Sequence, residues 1–195
     1  MQIRIAGIVK ESITDGPGIR YVVFAQGCFH HCAGCHNPQT HSFDGGRPME
    51  TDEIIRQMKS NPLLDGITLS GGEPFEQAAA LGELAEKAKK LGYGVMTYTG
   101  YTYEYIMRNR DSREGWSKLL GCSDVLVDGR FEISQKSLQL QFRGSKNQRV
   151  IDVRQSLLLN ETVPYSFSDT GGASASKGDI PQRPALRREW CVPSP

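Results

Sequence analysis

Cys28, Cys32 and Cys35 lie in the stretch QGCFHHCAGCHNP (26–38) at the spacing C-x3-C-x2-C, beside three of the chain's four histidines, His30, His31 and His36. Three thiols in one short loop are soft ligands suited to a metal. Two chemistries fit them. Zinc takes four tetrahedral ligands, commonly as two spaced pairs; here His36 or His41 would have to complete a Cys3His set, and no second C-x2-C knuckle is present. An iron–sulfur cluster is held by thiolates, and three of them on a four-iron cubane would leave one iron free to bind substrate directly. The spacing alone leaves both open.

Two further stretches carry chemistry. In S-G-G-E-P (70–74), Gly71 and Gly72 allow backbone to approach a ligand closely, and Glu73 adds a carboxylate suited either to an ammonium group or to the positive end of a following helix. D-G-P-G-I-R (15–20) is a weaker signal, since D-G and P-G mark turns in any fold. The cysteine count of five is odd, with three inside eight positions. That is no disulfide framework, and it suits a reducing compartment. Cys122 and Cys191 read as buried small hydrophobes or bystanders.

These loops need elements to hold them. Ile3–Val9, Tyr21–Ala25, Gly66–Ser70, Gly94–Thr99, Asp124–Val127 and Val150–Val153 read as β-branched strands. Between them Thr51 is placed to cap a helix bearing Ile54, Ile55 and Met58. Pro74 opens the clearest helix, with Leu81, Leu84, Ala88 and Leu91 at helical spacing and Gly92 as its end. Strands alternating with helices imply βα units and a mostly parallel sheet. A closed eight-stranded βα barrel takes about 250 residues, so 195 residues predict an α/β fold with an open sheet or partial barrel. The cysteine loop, the Gly-Gly-Glu loop, Thr99–Tyr101 and Asp128–Arg130 would then all follow carboxyl ends of strands, the edge where such sheets bind ligands.

From Glu161 onward the composition changes. Residues 161–195 hold five of ten prolines, four acidic and four basic residues, and only four Val, Ile or Leu. Such a segment buries too little apolar surface to offset its ordering entropy. It is expected to be a flexible tail behind a catalytic domain of residues 1–160, with Trp190 as a docking point. Overall, 38% hydrophobic and 23% charged residues describe a globular chain, and a net charge of +1 gives no electrostatic case for nucleic acid or an anionic membrane. No apolar run approaches a membrane span, and MQIRIAGIVK reads as a strand rather than a secretory signal, so a cytoplasmic location is expected.

The set D-G-P-G-I-R, Q-G-C-F-H-H-C-A-G-C-H-N-P, S-G-G-E-P, Y-T-G-Y, V-D-G-R-F and F-R-G-S-K-N-Q-R, in that order, resembles the radical S-adenosylmethionine superfamily. More narrowly, it resembles those glycyl radical enzyme activases that serve anaerobic ribonucleoside-triphosphate reductase. The resemblance implies that Cys28, Cys32 and Cys35 ligate a 4Fe–4S cluster whose fourth iron takes S-adenosylmethionine. Gly71, Gly72 and Glu73 would hold the methionine amino group, and backbone around Gly34, Cys35 and His36 would line the nucleotide side. The implied partners are the reductase as protein substrate and a reduced flavodoxin-type electron donor. No catalytic acid–base pair is required beyond the cluster and cofactor site. The superfamily usually has an aromatic residue just before its third cysteine, where this chain has Gly34, so adenine contact is expected from backbone. Activation of another glycyl radical enzyme, or a Cys3His zinc interaction module, are the alternatives. The residues do not assign roles to His30, His31, Arg130, Arg143, Lys146 and Arg149.

Overall fold

Tyr21, Val22 and Val23 are buried in succession along Arg20–Ala25, whereas Ile3 and Ile5 alternate with exposed neighbours along Gln2–Ser12. The first pattern marks a central strand covered on both faces, the second a strand with one face in the core. In the structure, a computed structural model that describes residues 1–167, they are β2 (Arg20–Ala25) and β1 (Gln2–Ser12) of a seven-stranded sheet. The others are β3 (Arg47–Glu50), β4 (Gly66–Gly71), β5 (Gly94–Tyr98), β6 (Val125–Asp128) and β7 (Arg149–Asp152), in the order β3-β1-β2-β4-β5-β6-β7. β2, β4, β5 and β6 are adjacent and parallel. β1 and β7 run against them and β3 runs with them, so five of seven strands share one direction. The outer strands β3 and β7 do not pair with each other, and the sheet stays open, as the chain length predicts.

Helices α1 (Thr51–Lys59), α2 (Ala78–Lys90), α3 (Tyr103–Asn109), α4 (Trp116–Cys122) and α5 (Val153–Leu159) complete the set. Ile54 and Met58 of α1, Leu81 and Leu84 of α2, and Leu119 of α4 bury against Tyr21, Val23, Ile67, Leu69 and Leu126 of the sheet. Cys122 lies in this core, as expected of a small hydrophobe.

Two helix expectations shift. Pro74 opens a 3-10 turn, Pro74–Gln77, and α2 begins only at Ala78; Leu91 follows its last turn and is 43% exposed. Gly92 ends the helix with φ +87°, a left-handed conformation that glycine adopts freely. Thr51 does not cap α1. Glu50 is the cap residue, and the buried Thr51 hydroxyl instead donates to Glu83 at 2.8 Å. β3 was not foreseen, because its Arg-Pro-Met-Glu sequence buries only Met49, and proline is tolerated at a sheet edge.

Arg20, from D-G-P-G-I-R, is buried at the amino ends of the parallel strands. Its Nη2 donates to Ile67 O (2.5 Å) and Gly94 O (3.1 Å), and its Nε to Thr68 Oγ1 (3.2 Å), tying β2, β4 and β5 together. Burial lowers its pKa to about 10. That motif therefore organises the edge opposite the cysteine loop.

On the second face of the sheet, Met96, Val125 and Val127 pack with Tyr98, Phe142, Val150 and Tyr165. Tyr165 N donates to Val150 O (2.8 Å) and Asp152 N to Val163 O (2.9 Å), so residues up to 167, grouped with the tail by composition, continue along β7. The remainder of the expected tail, 168–195, with Trp190 and Cys191, lies outside the described residues.

Candidate functional site

Because β2, β4, β5 and β6 are adjacent and parallel, the loops after them meet at one edge. Backbone joins the first two: Gly72 N donates to Ala25 O (2.7 Å), and Glu73 N to Gly27 O (2.8 Å). The glycines make this approach possible. Gly71 has φ +94°, and a Cβ there would lie 2.6 Å from Phe24 Cα; a Cβ on Gly72 would collide with Gly27 O. The next pair is joined as well, by Thr99 N to Val127 O (2.9 Å) and Gly129 N to Tyr101 O (3.0 Å). The composite edge expected from the sequence is present.

The cysteine loop leaves β2 and is fastened at its base. Gly27 N donates to Thr40 O (2.8 Å) and Cys28 N to His41 O (3.0 Å), while Gln26 Nε2 donates to Ser42 O (2.5 Å). Cys28 is buried, and Cys32 and Cys35 are half-buried. Backbone N–H groups face the sulfurs. Asn37 N donates to Cys35 Sγ at 3.4 Å. Burial pushes the Cys28 thiol above its ordinary value, and the N–H groups of His30 and His31 offset only part of that rise. A thiolate donor set with backbone N–H groups directed at sulfur suits an iron–sulfur cluster.

Of the two histidines that could complete a Cys3His set, each has an aromatic ring neighbour. The exposed His36 ring lies 4.9 Å from Phe131, and the His41 ring stands edge-on to His31 at 4.9 Å with its Nε2 buried and unpartnered. Among the described residues no three His, Cys, Asp or Glu side chains group to hold a single ion. Three thiols at C-x3-C-x2-C with no second C-x2-C knuckle suit a cluster with three protein ligands.

Glu73 takes the cap position that the sequence offered as one of its two roles. It is 1% exposed, and its carboxylate accepts from His30 Nε2 (2.8 Å), Gly100 N (2.8 Å), Thr99 Oγ1 (2.9 Å) and Phe75 N (3.0 Å). It caps the 3-10 turn and ties three loops, so the carboxylate is engaged within the protein. His30, to which the sequence assigns no role, has a side chain only 5% exposed.

The connection from β6 to β7, residues 129–148, folds back over the cysteine loop. A Cβ on Gly34 would lie 2.7 Å from Ile133 Cδ1, so the side chain missing at position 34 is replaced by Ile133 packing from above. Gln148 braces this connection, accepting from Gly144 N (2.9 Å) and donating to Gly129 O (3.1 Å). Of the basic residues without a role, Arg149 pairs with Asp128 and Glu104, and Arg143 donates to Gln148 O (2.6 Å); Arg130 and Lys146 are exposed. Asp128, buried at the end of β6, was missed because V-D-G-R-F shows an acid after a strand without showing what it meets.

A family profile described as a 4Fe-4S single cluster domain matches residues 14–151. The anaerobic ribonucleoside-triphosphate reductase-activating protein of Vibrio cholerae serotype O1 is 37% identical over 145 residues, covering 70% of this chain and 89% of that one. The protein of the same name from Escherichia coli K12 is 31% identical over 150 residues, covering 73% and 94%. The pyruvate formate-lyase-activating enzyme of Clostridium pasteurianum is 36% identical over 117 residues, covering 55% and 49%. The chain belongs to the 4Fe-4S single-cluster family, as a radical S-adenosylmethionine activase of the glycyl radical enzyme type. Its relatives over nearly their full length are activating proteins of anaerobic ribonucleoside-triphosphate reductase.

Proposed function

We propose that this protein activates anaerobic ribonucleoside-triphosphate reductase by placing a radical on one of its backbone glycines. The observation that carries the reading is the joining of the C-x3-C-x2-C loop to the Gly-Gly-Glu loop through Glu73 N and Gly27 O. It sets three thiols and a glycine-lined backbone at one edge, in a chain whose full-length relatives carry that name.

Cys28, Cys32 and Cys35 would hold the cluster. The chemistry such a cluster would supply is one-electron cleavage of S-adenosylmethionine, giving methionine, 5′-deoxyadenosine and a glycyl radical on the partner. The residues of this chain position the cofactor. With the Glu73 carboxylate engaged, backbone of Gly71 and Gly72 is left to meet the methionine ammonium. Backbone from Gly34 to His36, with Ile133 packed over Gly34, lines the nucleotide side. The electron donor is a reduced flavodoxin-type protein, and the compartment is the cytoplasm, whose reducing conditions suit clustered thiols. No helix among the described residues is long and apolar enough to cross a membrane.

The test is anaerobic reconstitution with iron and sulfide, then reductant and S-adenosylmethionine. Release of 5′-deoxyadenosine, followed by a glycyl radical signal in added reductase, is expected. An intact cluster with no nucleoside release would end the proposal. The likeness to a pyruvate formate-lyase-activating enzyme supports a second reading, activation of another glycyl radical enzyme. A radical formed in pyruvate formate-lyase but not in the reductase would select it.

A further inference from the structure

His30 lies midway between Cys28 and Cys32, yet its side chain turns inward, away from solvent. Its Nε2 stands 2.8 Å from Glu73 Oε2. Both Glu73 oxygens already accept from backbone N–H groups, of Phe75 and Gly100, so the carboxyl is the acceptor and Nε2 the matching donor. The ring meets Tyr101 edge-on at 4.6 Å, and a Cβ on Gly100 would collide with it. One imidazole therefore touches the loops after β4 and β5 from within the loop after β2.

We propose that His30 is a positioning residue for S-adenosylmethionine: its bond to Glu73 fixes the distance between the cysteine loop and the Gly71–Gly72 backbone. The inference rests on the function proposed above. Its physical basis is the rigidity of the acceptor. Glu73 is held by Phe75 N, Thr99 Oγ1 and Gly100 N, so it is a fixed post rather than a mobile side chain. A loop pinned at its midpoint to such a post has little freedom to drift relative to the segment after β4. A cofactor that must meet both segments binds more weakly when their spacing is not fixed in advance, so the cost falls on its KM. The His30 ring bonds Glu73 and not a cysteine sulfur, so the side chain governs where the cofactor sits rather than whether a cluster assembles.

The test compares reconstituted wild type with His30→Phe and His30→Gln. Phenylalanine keeps a ring against Tyr101 but cannot donate to Glu73, while the glutamine amide can. His30→Phe is expected to keep wild-type iron and sulfide, to raise the KM for S-adenosylmethionine at least tenfold while kcat falls less than threefold, and to lose the change that S-adenosylmethionine makes in the electron paramagnetic resonance spectrum of the reduced cluster. His30→Gln is expected to restore both readouts to within about threefold. A KM within twofold of wild type in His30→Phe, or equal defects in the two variants, overturns the proposal. If His30→Phe fails to hold its cluster, Gly100→Ala decides, because its methyl displaces the same ring with His30 intact: a raised KM supports the pin, and a wild-type KM overturns it. A wild type that assembles a cluster but shows no response to S-adenosylmethionine would instead count against the proposed function itself.

Discussion

Arg149 grips Asp128 through two nitrogens, Nε to Oδ1 at 3.0 Å and Nη2 to Oδ2 at 2.5 Å. Asp128 Oδ2 also accepts from Tyr103 N at 2.7 Å, so one buried carboxylate joins the end of β6, the start of β7 and the first turn of α3. The pair brackets residues 129–148, the connection that brings Ile133 over Gly34. Arg149 also holds Glu104 with both terminal nitrogens.

Arg149→Met leaves the Asp128 charge buried without its partner. A loss of about 3 kcal/mol is expected, the lower end for breaking a buried pair, since Arg149 itself is 41% exposed. Denaturant unfolding of the cluster-free protein measures it. A loss below about 0.5 kcal/mol, the size of an ordinary surface change, would show that the pair does not hold the connection.

Metal analysis separates the cysteines. Cys32→Ala is expected to lose most of its iron and acid-labile sulfide after reconstitution. Cys122→Ala, changed in the core beneath the sheet, keeps both and loses about 1 kcal/mol of stability. Equal cluster content in the two variants would remove Cys32 from the ligand set.

Gly72→Ala tests the contact between the loops after β2 and β4. The added methyl collides with Gly27 O and lies 3.0 Å from Ala25 O, both backbone atoms that cannot swing aside. Destabilisation of about 1–3 kcal/mol is expected from forced overpacking. Slower amide exchange at Gly72 and Glu73 in the variant than in wild type would contradict the expected loosening.

Acid sensitivity follows from two carboxylates held below their ordinary value of 4.5. Hydrogen bonds from Arg149 bring Glu104 to about 2, and those from Lys87 bring Glu83 to about 2. A depressed folded-state pKa contributes stability above the unfolded value, which is lost as pH falls through the folded one. Thermal midpoints of the cluster-free protein should therefore drop between about pH 4.5 and 2, and Glu83→Gln with Glu104→Gln should flatten that slope. An unchanged slope in the double variant would assign the acid transition to other groups.

Six strands were legible because their β-branched runs are long enough to stand out. β3 was not, and neither were α3, α4 and α5, each seven residues long and too short to display a helical period. The three thiols and the two glycines were legible for a different reason: their chemistry depends on residue type and local spacing, which a sequence displays directly.

What local spacing could not show is which atoms meet across the edge. Glu73 reads equally well as a ligand for an ammonium group or as a helix cap, and only the fold brings His30, Thr99 and Gly100 onto its carboxylate. His30 looks like a loop residue until the parallel register of β2, β4 and β5 sets three loops side by side. Asp128 and Arg149 are separated by 20 residues of connection and pair because β6 and β7 are antiparallel in that register. The sequence by itself determined the donor chemistry and the alternation of strands and helices, since both reside in neighbouring residues. The tertiary structure decided which polar groups are buried together, because burial and partner choice arise only when distant segments share one edge.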